Sequence, residues 1–227
     1  MFGKLKGASG AIILLVLFAA NNLILMLIGG VDSLFAIIFH SIIENLLLFV
    51  GAQLFTPLSA AGAGFASPVI GYFMGIVPDF AYVVTWGIAN IIVAVISAAM
   101  SRQSNFFGVL LATVLRFLYL LLMVRLLVPM LNLSATPAQQ AAMSLALFWP
   151  QAVGCFVGGL LSMPLLFSLL LRTGILIADP EQNRIIDTRL EPEYKRAEHA
   201  ATASNRQMPQ VRRQDKRSDE ELFGSDD

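Results

Sequence analysis

The chain has 227 residues, 57% of them hydrophobic, and equal numbers of basic and acidic groups. That much apolar character excludes an ordinary soluble domain, and the lack of a basic stripe outside the C-terminal tail gives no reason to expect nucleic acid as a partner. Charge is segregated. Up to Leu176 the formally charged residues are Lys4, Lys6, Asp32, Glu44, Asp79, Arg102, Arg116, Arg125 and Arg172, and all others follow Ile177. The pattern predicts an all-α, polytopic integral membrane protein. Residues 1–176 form a domain of about six transmembrane helices, and residues 177–227 a polar, largely disordered cytoplasmic tail.

In chain order, the first apolar run, about Ala11 to Ile28, ends at Gly29-Gly30. It has full spanning length and no clear small-residue cleavage site, so it reads as a retained helix rather than a signal peptide. The second span runs from about Leu34 to Phe55. A Gly/Ala/Ser/Pro-rich stretch, Thr56 to Ser67, then precedes a block from Pro68 to Met100 that is broken at Pro78-Asp79. That block suits a short third helix, about Pro68 to Val77 with room to extend back, and a fourth, about Phe80 to Met100. The fifth span is about Phe106 to Leu131. The sixth run, about Ala141 to Leu171, is too long for one upright span, so Trp149-Pro150 marks a bend or a true start. In the tail, a short helix fits near Ile185 to Ala200.

Six crossings put both ends on one side, together with Lys4, Lys6, Arg102, Arg172 and the basic residues of the tail. The opposite loops, Gly29–Ser33 and Asn132–Gln140, contain no Lys or Arg. The positive-inside rule therefore assigns both termini to the cytoplasm of a cell whose plasma membrane the chain spans.

A charge at mid-bilayer costs at least ~2.5–3.5 kcal/mol, so each ionisable group inside the spans is a candidate for function. Glu44 falls near the middle of the second span and His40 one turn further out, on the same face. Arg116 falls near the middle of the fifth span and Arg125 in its outer third. Tyr82, Trp86 and Asn90 form one face of the fourth, descending from Asp79. Trp149 and Gln151 lie in the outer part of the sixth, and Asn21 and Asn22 near the middle of the first. A shared pocket open to the outside accounts for them together. In it Arg125 or Arg116 would hold a carboxylate or phosphate, Trp86, Tyr82 and Trp149 would cover a flat ring, and Asn90, His40, Glu44, Asp79 and Gln151 would complete the lining. Each residue also has a plainer reading. Glu44 and Arg116 neutralise each other, Arg125 snorkels to the headgroups, His40 bonds a neighbouring helix, Trp149 and Tyr82 join the aromatic belt, and Asp79 caps the fourth helix.

Nothing in the chain spells an enzyme. There is no metal-spaced His/Cys/Asp set, no HExxH, no GxSxG and no P-loop, so neither metal nor cofactor is expected. The lone Cys155 reads as packing. Gly71-x-x-x-Gly75 and Gly154-x-x-x-Gly158 are expected to let helices approach closely.

The stretch Ser67 to Tyr82, SPVIGYFMGIVPDFAY, with Gly71, Gly75 and Asp79, resembles the Gly-rich third helix of the substrate-binding S components of energy-coupling factor (ECF) transporters. A polar-capped fourth helix, a long fifth and a late sixth with Pro164 and Arg172 fit the same family. The resemblance implies a vitamin-like or other small anionic or aromatic solute bound from outside. It also implies partners: a membrane scaffold (T) component and two ATPase subunits that drive release inward. The paired alanines of the family's first helix are absent here, since Ala8, Ala11, Ala19 and Ala20 do not form that spacing. The same Gly71–Asp79 stretch is also similar to the rod-shape protein MreD, a membrane scaffold of the cell-shape machinery, which is the alternative. An ion-coupled carrier, with Glu44 or Asp79 carrying a proton, comes third.

Overall fold

The computed structural model describes residues 2–100, 105–127, 136–172, 176–179 and 184–187. The chain divides into two compact units, Met1–Leu170 and Leu171–Asp227. The first is all-α and polytopic. Its helices are α1 (Phe2–Leu27), α2 (Leu34–Leu54), α3 (Pro57–Phe73), α4 (Phe80–Met100), α5 (Asn105–Leu122), α6 (Pro137–Ala146) and α7 (Trp149–Arg172). A 3-10 turn, Gly30–Asp32, links α1 to α2, and a π turn, Met123–Leu127, continues α5. Five segments are long and apolar enough to cross a membrane. The 17-residue α3 completes six crossings, while the 10-residue α6 is too short for one. A 21-residue helix such as α2 or α4 spans about 31 Å at 1.5 Å per residue, the thickness of the hydrocarbon layer. The turn at Gly30–Asp32, the link 74–79 and α6 thus lie at one end, opposite the start of α1; it is called the outer end here, after the expectation from the lysine and arginine distribution.

Two expected boundaries move. The third helix begins at Pro57 rather than near Pro68 and ends at Phe73 rather than Val77. Thr56 caps it, accepting from the Ser59 amide at 3.0 Å, and Pro57 occupies the first turn, where a missing N–H costs nothing. The small side chains of Ala60, Ala61, Ala63 and Gly64 are buried, which lets α3 lie close to α1 and α4. Gly75, at φ 75°, turns the chain back so that the amides of Ile76 and Val77 both donate to the Gly71 carbonyl. The sixth run is two helices. A turn at Leu147–Phe148 separates α6 from α7, and Pro150 sits at the start of α7, so Trp149-Pro150 is a true start. The end of the expected fifth span, beyond Leu127, lies outside the described residues.

In the second unit, Leu176–Asp179 and Arg184–Asp187 pair antiparallel, with Ile177 opposite Ile186 and Ala178 opposite Ile185. Residues 185–187 are therefore strand where a helix was expected, in keeping with the β-branched Ile185-Ile186 pair. The rest of 185–200 lies outside the described residues, and so does the remainder of the expected disordered tail.

Two large apolar clusters and a small third one of Leu25, Ala36 and Ile76 fill the membrane unit. Leu14, Phe18, Leu48, Phe49, Val93 and Val109 pack in the inner half, with Cys155 buried among them. Tyr82, Trp86, Leu120, Val124, Met143 and Leu147 pack in the outer half. Ile12, Val16, Phe35, Phe73, Phe107, Leu118 and Leu161 face outward, where lipid covers them. Between the two large clusters lies a layer of polar side chains.

Candidate functional site

The layer is built around one ion pair. Glu44 on α2 and Arg116 on α5 approach to 3.3 Å, and both side chains are fully buried. Every acceptor site of the carboxylate has a donor. Oε1 accepts from Ser67 Oγ of α3 at 3.1 Å and from Asn90 Nδ2 of α4 at 3.0 Å. Oε2 accepts from Trp86 Nε1 at 2.8 Å and from Arg116 Nη2. The guanidinium is nearly as well supplied. Nη1 donates to Asn45 Oδ1 at 3.0 Å and Asn90 Oδ1 at 2.8 Å, and Nη2 to Gln151 Oε1 of α7 at 2.6 Å. Its Nε has no partner. Ser41 Oγ donates to Gln151 Oε1 at 3.0 Å, while Asn45 Nδ2 donates to the Ser41 carbonyl at 2.7 Å.

Helix geometry explains why these groups meet. Ser41, Glu44 and Asn45 are three and four residues apart, so they share one face of α2. Trp86 and Asn90 share a face of α4 in the same way. Pro68 inside α3 has no N–H to offer the Gly64 carbonyl, and Asn90 Nδ2 donates to that carbonyl at 2.8 Å. Asn22 of α1 donates to the Ser67 carbonyl at 3.0 Å, and Asn21 to the His40 carbonyl at 3.1 Å. Six helices thus contribute, five of them supplying the charged pair itself or a side chain bonded to it.

Among the expected site residues, Glu44, Arg116, Trp86, Asn90 and Gln151 are brought together. Their donors and acceptors face one another, so in this conformation Arg116 grips the protein's own side chains, and the indole of Trp86 acts as a donor to Glu44. His40 is buried one turn outward, its ring edge-on to Trp86 with centroids 5.5 Å apart, and its Nε2 has no partner. Tyr82 is buried in the outer cluster beside it. Ser41 and Ser67 were not expected in the site. The signal was present, in the four-residue spacing of Ser41 and Asn45 beside Glu44 and in Ser67 directly before a mid-helix proline.

Arg125, Trp149 and Asp79 stand apart from the pair. Arg125 is exposed in the π turn, its guanidinium carbon 5.5 Å from the centroid of the Phe148 ring. It lines a cavity of about 440 Å³ with Val124, Ser144, Leu145 and Phe148 at the outer end. Trp149 is 37% exposed at the start of α7. Asp79 accepts from the Ala81 amide at 3.0 Å in the first turn of α4, the capping role.

The glycines divide. A Cβ at Gly154 would overlap Ser41, and one at Gly158 would overlap the Ile42 carbonyl and lie 3.0 Å from the Leu46 nitrogen, so α7 crosses α2 in backbone contact there. At Gly71 a Cβ would meet Val77 at 3.2 Å. Gly75, expected as a packing residue, has open space around it. Its left-handed turn is what requires glycine.

Among the described residues no group of three His, Cys, Asp or Glu side chains could hold a metal ion. No protein-family model, no curated protein and no solved structure matches the chain.

Proposed function

We propose that this protein binds a small solute from the outer side of the plasma membrane and passes it inward through a partner complex, without itself being an enzyme. The observation that carries the reading is the charged centre at mid-membrane, supplied by α2, α3, α4, α5 and α7 and lying beneath an outer cavity that displays a second guanidinium. A bundle needing only stability would fill that layer with apolar side chains, because two charges in hydrocarbon are seldom repaid by their mutual attraction. The cavity volume lies within the range of small-molecule sites. In this reading Arg125 takes the anionic group at the outer cavity, and Glu44, Arg116, Trp86 and Asn90 form the fixed charged centre beneath it.

In its finer form the reading is an ECF-type S component, with a membrane scaffold and two ATPases as partners. It rests on the resemblance of Ser67–Tyr82 and on six crossings. Purification of tagged protein at native expression from its own host tests it. Recovery of an ATPase together with a second membrane protein supports the coupling. Recovery of cell-shape or cell-wall proteins would instead favour the MreD-like scaffold. The observation behind that second reading is the saturation of the Glu44 carboxylate by the protein's own donors, which suits a fixed structural centre.

A further inference from the structure

Resting on that solute-binding reading, we infer that the ligand's charged end is a single anionic group on a short apolar body. We further infer that it is held at Arg125, above the Glu44–Arg116 centre rather than within it. Three observations converge. First, the four bonds from the Arg116 terminal nitrogens all go to side chains of the protein, whereas Arg125 presents its guanidinium to a cavity of about 440 Å³. Second, the Arg125 guanidinium carbon lies 5.5 Å from the centroid of the Phe148 ring, and that ring in turn packs against Phe117 with centroids 5.5 Å apart, so the guanidinium rests on a packed ring rather than on a free stem. A π turn places it there, an irregularity found often at functional sites.

The third observation is the chemistry of the lining. Among the described residues, one hydroxyl, Ser144, and the apolar Val124, Leu145 and Phe148 line the cavity with the guanidinium, and none of them is a carboxylate. From Leu126 to Ala178 the chain contains no Asp or Glu at all. Asp32 lines a separate cavity of about 270 Å³, bordered by Gln139 and Met143 of α6. One forked cation in an apolar surround selects one carboxylate or phosphate and offers nothing to an ammonium. The same chemistry could be presented by a dissolved solute or by an anionic lipid headgroup, because Arg125 sits near headgroup depth.

The experiment places the full-length protein in nanodiscs of phosphatidylcholine alone and follows the midpoint of thermal unfolding with hexanoate or hexylammonium. Hexanoate is expected to raise the midpoint and hexylammonium to leave it unchanged. Arg125→Gln is expected to weaken the hexanoate response at least tenfold, and Arg125→Lys to recover part of it. Equal responses to the two probes, or a hexanoate response unchanged in Arg125→Gln, would overturn the inference. Nanodiscs with phosphatidylglycerol separate the sources. If that lipid raises the midpoint through Arg125 and abolishes the hexanoate response, the anion site stands and the solute reading falls. If a native solute stays bound to Arg125→Gln protein while hexanoate has no effect, the solute reading stands and this inference falls.

Discussion

Glu44→Gln tests the charged centre with the least change of shape. Four donors converge on the two carboxylate oxygens: Ser67 and Asn90 on one, Trp86 and Arg116 on the other. A carboxamide has one oxygen, so its NH2 must face one of these pairs. Two donors then lose their acceptor inside the membrane, at about 1–3 kcal/mol each, and Arg116 keeps a buried charge without its counter-charge. Breaking a buried pair from one side costs about 3–5 kcal/mol, and that is the expected loss. Arg116→Met should cost a similar amount, because it leaves the carboxylate alone. The double variant removes both charges, so it should be more stable than the sum of the singles predicts, by at least about 2 kcal/mol. Reversible unfolding in mixed detergent and SDS micelles, followed by circular dichroism, gives the three free energies. Single losses below about 1 kcal/mol that simply add would refute the ion pair as the organising feature of the fold.

Trp86→Phe keeps a ring against His40 but deletes the indole donor to Glu44, and should cost about 1.5–3 kcal/mol in the same unfolding assay. Gly154→Leu drives a side chain into Ser41 where α7 crosses α2 and should destabilise by at least about 1–3 kcal/mol. Gly62→Ala, in a helix with nothing within 4 Å of the added carbon, should remain within about 0.5 kcal/mol of the parent. Thr136→Ala removes one half of the capping box that starts α6 and should cost about 1 kcal/mol. Hydrogen exchange should then quicken in α6 and leave α4 unchanged.

Hydropathy alone made the spans legible, because a membrane leaves a chain few ways to satisfy its backbone. It placed the start of α3 too late. Gly, Ala and Ser in 59–67 lower the apolar signal even as their small size makes the stretch a good packing surface. The pairing of Glu44 with Arg116 was readable from their similar depth. Their shell was harder to read, since short polar side chains occur in many membrane helices and only packing shows which of them converge. Grouping Arg116 and Arg125 in one pocket overlooked helix geometry. Nine residues at 100° each put them on opposite sides of a regular helix, and the π turn that continues α5 resets the register at Arg125 without returning it to the face of Arg116. As a result one arginine lies in the core and the other at the outer cavity. Gly75 misled for a related reason. A Gly-x-x-x-Gly spacing implies a helix face only where the helix continues, and α3 ends at Phe73.

The central claim, a small solute held from the outer side, is tested most directly by native mass spectrometry of the protein purified gently from its own host membrane. The account predicts a stoichiometric small anion bound to the parent protein and missing from Arg125→Ala. A protein that emerges empty, and brings down only cell-shape or cell-wall proteins, would contradict it.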